Sequence, residues 1–260
     1  MKYVVIASSS TGNSILLMNN NKYYLLDAGI GIRKIIKNLS DIGIALDHLD
    51  GIFLTHEHSD HVGGLKSIFS KLECPIYMSK IAYKYMADDI KDKISPRYFR
   101  FITNNDEFKV DDLTIKTFKT YHDSSDPLGY RFECAGKAIV YITDTGHMEE
   151  TDLIKNASSY IIESNHEPNI LLLSARPWPL KQRIISDEGH LSNEDSAKLF
   201  YHIFGDKTES VVLYHLSKEC NTDDLALSAY RMYAKENNID TKNIKIYVAN
   251  KTEISEMIEL

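Results

Sequence analysis

The sequence predicts an α/β fold in which two mixed β-sheets lie face to face with helices outside them. Three observations carry this reading. Short apolar runs bounded by turn residues occur in both halves of the chain, helical periodicities recur between them, and the residues able to do chemistry fall where apolar runs stop.

The first third reads as an antiparallel meander. Apolar runs at residues 3–7, 14–18 and 23–26 are separated by SSSTGN and NNNK, whose small and polar residues suit turns. Residues 32–39 carry Ile32, Ile35, Ile36 and Leu39 at the spacing of one helix face. The run 51–54 reads as a buried strand that ends at Thr55-His56-Glu57-His58-Ser59-Asp60-His61. Further strands are predicted at 75–78, 113–118, 129–134, 138–142, 160–163, 211–214 and 244–248. Further helices are predicted at 62–69, 80–87, 149–156, 193–204 and 223–237. The segment 176–183, with Arg176, Lys181, Arg183 and the chain's one tryptophan, Trp178, reads as a basic loop. No repeat, low-complexity tract or Pro/Gly/Ser linker interrupts the pattern, so one domain is expected over residues 1–260.

A chain of 260 residues that is 43% hydrophobic can bury a large core. Thirty Lys and Arg against 37 Asp and Glu give a formal charge of −7, the wrong sign for a protein that coats nucleic acid non-specifically, so any polyanion must be bound locally. No apolar run approaches the ~20 residues of a membrane span. A cytoplasmic protein without membrane insertion is expected, its oligomeric state left open. Cys74, Cys134 and Cys220 lie far apart and odd in number, which argues against a disulfide framework or a zinc ribbon.

The densest chemical signal is the segment 56–61, with four metal-ligand side chains directly after an apolar strand. In an extended segment alternate residues point the same way, so His56, His58 and Asp60 can converge, while His61 faces a second ion beside Asp60. Imidazole and carboxylate donors without thiolate suit two divalent transition-metal ions, manganese or zinc with iron also open, and argue against a structural zinc site. Further ligand types stand at strand ends: His122, Asp144 and His215, with Asp27 closing the run 23–26 ahead of Ala28-Gly29.

The order Asp27, then HxHxDH at 56–61, then His122, Asp144 and His215 resembles the five-motif signature of the metallo-β-lactamase superfamily. The resemblance implies an αββα sandwich with a dinuclear site at one edge of the sheets. It implies that His56, His58 and His122 hold one metal, that Asp60, His61 and His215 hold the other, and that Asp144 bridges them. Asp27 is expected to orient the HxHxDH segment without binding metal.

Other segments are similar to the YycJ/WalJ-type branch, itself related to tRNase Z: the turn Ser8-Ser9-Ser10-Thr11-Gly12-Asn13, the strand end Glu163-Ser164-Asn165-His166, Leu180-Lys181-Gln182-Arg183, and Gly189-His190-Leu191-Ser192-Asn193. This branch is described as a 5′ to 3′ exonuclease on DNA. The chain departs from its pattern at residues 8–11 and at Glu167, where Asp is usual. The resemblance gives Glu163 and His190 a proton-delivery role, with Asp60 able to position the attacking water. Ser10, Asn13, Arg176, Lys181 and Arg183 are candidate phosphate contacts. A small-molecule phosphodiesterase, cyclic or alkyl, is the alternative enzyme. A metal-binding regulatory protein linked to cell-envelope signalling is the alternative from another class.

Overall fold

The computed structural model describes residues 1–149, 152–249 and 254–260. One sheet contains β1 (Lys2–Ala7), β2 (Ser14–Asn19), β3 (Lys22–Leu26), β4 (Leu49–Phe53), β5 (Ile76–Ser79) and β6 (Phe99–Ile102). The other contains β7 (Glu107–Val110), β8 (Leu113–Lys119), β9 (Leu128–Cys134), β10 (Lys137–Ile142), β11 (Ser159–Glu163), β12 (Ser210–Tyr214) and β13 (Lys245–Val248), while β14 (Ile258–Glu259) returns to the first. The strand orders are β14-β1-β2-β3-β4-β5-β6 and β13-β12-β11-β10-β9-β8-β7, both with parallel and antiparallel neighbours.

Helices α1 (Ile32–Asp41), α2 (Ser59–Val62), α3 (Leu65–Phe69), α4 (Lys80–Tyr85) and α5 (Asp88–Lys91) belong to the first half of the chain. Helices α6 (Pro168–Leu173), α7 (Trp178–Ile185), α8 (Asn193–Ile203) and α9 (Asp223–Glu236) belong to the second.

Side-chain alternation explains the layers. Along β1, Tyr3 and Val5 join Ile15, Leu17, Tyr24, Tyr130, Tyr141 and Val212 in a core between the sheets. Val4 and Ile6 point the other way, into a core shared with Ile35, Leu39, Leu65 and Ile68 of α1 and α3. On the second sheet Val140, Tyr160, Ile162, Val211 and Leu213 pack against Phe200 of α8 and Tyr230 of α9. Strands covered on both faces need continuous apolar runs, which is how β1, β2, β10 and β12 read in the sequence. Each fully buried aliphatic or aromatic side chain contributes about 1.5–3 kcal/mol relative to exposure.

The sequence missed β6, β7, β14, α5 and α6, all of six residues or fewer and too short to show a period. The helix expected over 62–69 is instead α2 and α3, split at Gly63-Gly64; a Cβ on Gly64 would stand 2.2 Å from the carbonyl oxygen of Ile30. The helix expected over 149–156 falls partly on residues 150–151, outside the described residues, and 152–154 form a turn. The basic segment read as a loop is α7: Pro177 is its N-terminal cap residue and Pro179 stands second in the helix, where a missing N–H costs nothing. No helix among the described residues is long and apolar enough to cross a membrane.

Candidate metal centre

β8, β10, β11 and β12 run in one direction, and β3 and β4 run in one direction in the other sheet. Asp27 follows β3, His56 lies just beyond β4, His122 beyond β8, Asp144 beyond β10 and His215 beyond β12, while Glu163 is the last residue of β11. These carboxyl-terminal ends meet at one edge of the sandwich. Three of the residues leave their strands in the left-handed region, with φ of 58° at Asp27, 48° at Asp144 and 58° at His215. Side chains other than glycine pay about 1–3 kcal/mol for such backbone, and such strain concentrates at functional sites. Glycine is required once in this frame: a Cβ on Gly29 would lie 1.6 Å from the carbonyl oxygen of Asp60.

The imidazoles are held by their Nδ1 atoms. His61 Nδ1 donates to Asp27 Oδ2 at 2.8 Å, His122 Nδ1 to the carbonyl oxygen of Gly189 at 3.1 Å, and His215 Nδ1 to Glu163 Oε1 at 2.8 Å. Thr55 Oγ1 donates to Asp27 and so accepts from His56 Nδ1 at 3.0 Å. Each arrangement leaves the Nε2 lone pair directed inward, which is how metal-binding histidines are prepared. Nε2 of His56 and of His215 are buried without a hydrogen-bond partner. Buried polar atoms rarely stay unpaired, so these two call for a ligand.

Donor atoms of His56, His58 and His122 lie within 4.8 Å of one another, as do those of Asp60, His61 and His215. Asp144 reaches both groups: its Oδ2 is 2.9 Å from His61 Nε2 and its Oδ1 is 3.9 Å from His122 Nε2 and 3.3 Å from His215 Nδ1. Burial opposes the charge of Asp60 and Asp144, yet His215 and His61 hold both carboxyls below the usual range. Burial likewise opposes protonation of His61, but Asp27 and Asp144 raise its pKa well above the usual value. His215 is pushed up to about 10 against its own burial, chiefly by Asp144. A field that draws protons onto imidazole also favours a divalent cation there. Inward Nε2 atoms, two of them unpartnered, and a carboxylate touching both groups fit a pair of divalent transition-metal ions.

Asp27 and Glu163 have their oxygens committed elsewhere. Asp27 is fully buried and accepts from Thr55 N, Thr55 Oγ1, His61 Nδ1 and Tyr141 OH. Glu163, also fully buried, places Oε1 between His215 Nδ1 and His190 Nδ1, at 2.8 and 2.7 Å, and takes Thr145 N on Oε2 at 2.9 Å. His190 is thereby fixed against the cluster, its ring 5.1 Å from that of His122 and 5.4 Å from that of His215.

A description of the beta-lactamase superfamily domain matches residues 22–216 of this chain, a span that holds every residue of the cluster. The chain belongs to the beta-lactamase superfamily. Within it, exodeoxyribonuclease WalJ of Streptococcus pneumoniae is 37% identical over 228 residues, 86% of this chain and 85% of that protein. Exodeoxyribonuclease YycJ of Bacillus anthracis is 32% identical over 204 residues, 78% of this chain and 77% of its own. The crystal structure of zinc-bound PqqB from Methylobacterium extorquens superposes with a TM-score of 0.73 at 16% identity, each chain covered completely, a likeness of fold.

Beside the superfamily's cluster lies a cleft of about 430 Å³ lined by Ser10, Arg176, Arg183, His190, His215 and Glu219 among others. Both arginines there face acids, Arg176 Nε donating to Glu219 at 3.0 Å and Arg183 to Asp123. Two expected phosphate contacts are corrected. Lys181 is buried, and its Nζ donates to the carbonyl oxygens of Leu172 and Ser174 at 2.7 Å each, closing the end of α6 onto α7. Asn13 is fully buried, with its amide on Ser9 N, His61 Nε2 and Asp60 Oδ2, so it braces the cluster instead of facing the cleft. The sequence reading missed Thr55, Tyr141, Thr145 and Ser8, whose Oγ accepts from His215 N at 2.8 Å. Of these, Thr55 and Thr145 carried a signal, since each adjoins a ligand type at a strand end.

Proposed function

We propose that the chain is a metal-dependent phosphodiester hydrolase acting on DNA, an exonuclease of 5′ to 3′ polarity. His56, His58 and His122 would hold one divalent cation and Asp60, His61 and His215 the second, with Asp144 within reach of both groups; manganese or zinc would suit this donor set. Divalent cations at this place would supply the means to activate water and to offset charge on the phosphoryl oxygens. The exodeoxyribonuclease relatives support the substrate class.

The observation that carries the reading is the Glu163–His190 pair set against the cluster. On this reading the pair is the proton source for the leaving oxygen. Glu163 holds Nδ1 of His190, which leaves Nε2 as the free end of a ring that lines the cleft, where it protonates the departing alkoxide. Asp60, the most accessible carboxylate of the cluster with 19% of its side chain exposed, positions the attacking water. Asp27, through Thr55 and His61, keeps the ligand segment in register.

The test is turnover by the purified protein, loaded separately with manganese and zinc, on labelled single- and double-stranded DNA, RNA and bis-p-nitrophenyl phosphate. Stepwise release of nucleotides from DNA is expected. Turnover of the small diester with no cleavage of any nucleic acid would move the protein to the small-molecule phosphodiesterases.

A further inference from the structure

His190 lies outside the regular elements. It closes a strap, residues 186–190, that runs from the end of α7 back to the cluster, and Ser186, Asp187 and Glu188 of that strap are exposed. Such a segment fixes a side chain only if it is itself held. Its own bonds fold it onto α7: Gly189 N donates to the carbonyl oxygen of Ser186 at 2.8 Å and His190 N to that of Ile184 at 2.9 Å. The rest of its support comes from two segments that follow ligand-bearing strand ends. After β8, His122 Nδ1 donates to the carbonyl oxygen of Gly189 at 3.1 Å and Asp123 N to that of Glu188 at 3.0 Å. After β10, His147 Nδ1 donates to the carbonyl oxygen of Asp187 at 3.0 Å.

One side-chain pair completes this support. Arg183, in the last turn of α7, donates from Nε to Asp123 Oδ2 and from Nη2 to Asp123 Oδ1, the second bond being 2.9 Å. Exposed ion pairs commonly contribute little, but a two-pronged guanidinium–carboxylate pair fixes direction as well as distance. Asp123 is also the residue next to the ligand His122, with Oδ1 3.3 Å from His122 Nε2. The end of α7 is therefore pinned beside the ligand on which the strap rests. At the other end of the strap, Glu163 holds His190 Nδ1 at 2.7 Å.

We infer that the Asp123–Arg183 pair positions His190: it clamps α7 and the strap to the His122 segment, and so sets how far the free Nε2 of His190 stands from the bond that is cut. This rests on the proton-delivery reading of His190. Neither member of the pair takes part in proton transfer. Glu163 turns the ring, and the clamp sets its reach. Arg183 thereby has a role other than that of a phosphate contact.

The experiment compares the metal-loaded parent with Asp123→Asn, Arg183→Gln and the double variant by two readings. The first, which needs no turnover, is hydrogen exchange followed by mass spectrometry of peptides covering residues 184–190. Each variant should exchange there roughly 2- to 5-fold faster, the factor expected for loss of an exposed pair. The second is kcat and KM on labelled DNA and on bis-p-nitrophenyl phosphate. On DNA, kcat should fall roughly tenfold, as for a donor displaced by part of an ångström, with KM unchanged. Release of p-nitrophenolate, which needs no proton, should barely change. Because the two residues act through one contact, the double variant should lose no more than either single one. Lys137→Gln, which breaks an exposed pair with Glu209 at the end of β10 remote from Asp144, should alter neither reading. Unchanged exchange, equal losses on the two substrates, additive losses, or a raised KM at full kcat would overturn the proposal, the last by making Arg183 a phosphate contact. Loss of metal from Asp123→Asn, read by elemental analysis, overturns it too by making Asp123 a ligand. If His190→Ala itself shows no preference between the substrates, the fault lies with the proton-delivery reading, and the exchange alone decides the clamp.

Discussion

Replacing His190 by alanine tests the proposed proton delivery apart from metal binding. The imidazole makes one strong bond, 2.7 Å to Glu163 Oε1, and 16% of its side chain is exposed. Its removal leaves Glu163 with His215 Nδ1 and Thr145 N, so no buried charge is stranded, and the stability cost should stay within about 1–2 kcal/mol. Because His190 Nδ1 faces Glu163, both metals should remain. The rate on an oligonucleotide should fall roughly 10²- to 10⁴-fold, the contribution of a positioned general acid, which is about 2.7–5.4 kcal/mol of barrier. The assay is kcat/KM on labelled DNA and on bis-p-nitrophenyl phosphate. The loss should shrink on the second substrate, because p-nitrophenolate departs without a proton while a nucleotide alkoxide does not. Glu163→Gln should show the same selectivity more weakly. Equal losses on both substrates would make His190 a phosphate-positioning residue and refute the assignment.

Asp144→Ala removes the carboxylate that touches both ligand groups, so metal content measured by elemental analysis should drop together with activity. Asp27→Asn puts an amide where Asp27 accepts from His61, Tyr141 and Thr55. Metal affinity should fall roughly 10- to 100-fold, as is usual when the partner of a ligand histidine is lost, and competition with a chromogenic chelator would read it. Lys181→Met should lower stability by about 1.5–3 kcal/mol, the worth of hydrogen bonds from a charged donor, with KM for DNA unchanged. A raised KM at full stability would return Lys181 to the substrate.

How much of this was legible in the sequence follows from the reach of each signal. The HxHxDH segment is local and legible by itself; joining it to His122, Asp144 and His215, each after a recognisable apolar run, took the resemblance to the metallo-β-lactamase signature. Apolar runs in both halves of the chain, with helical periodicities between them, carried the two-sheet reading. The bracing network was not legible because its contacts are distant: Tyr141 OH reaches Asp27 across 114 positions and Ser8 reaches His215 across 207. The basic segment misled for the same reason. Composition shows the charges of Arg176, Lys181 and Arg183 but not Glu219, Asp123 or the carbonyl oxygens of α6 that meet them.

The central claim is that two cations held by this cluster make the chain a nuclease. Its most direct test is titration of exhaustively chelated protein with manganese or zinc while nucleotide release from labelled DNA is followed. The account predicts no turnover without metal and a rise that saturates at two equivalents of bound ion per chain. Undiminished DNA cleavage by the chelated protein, or full turnover at one ion per chain in a variant with the second ligand group substituted, would contradict it.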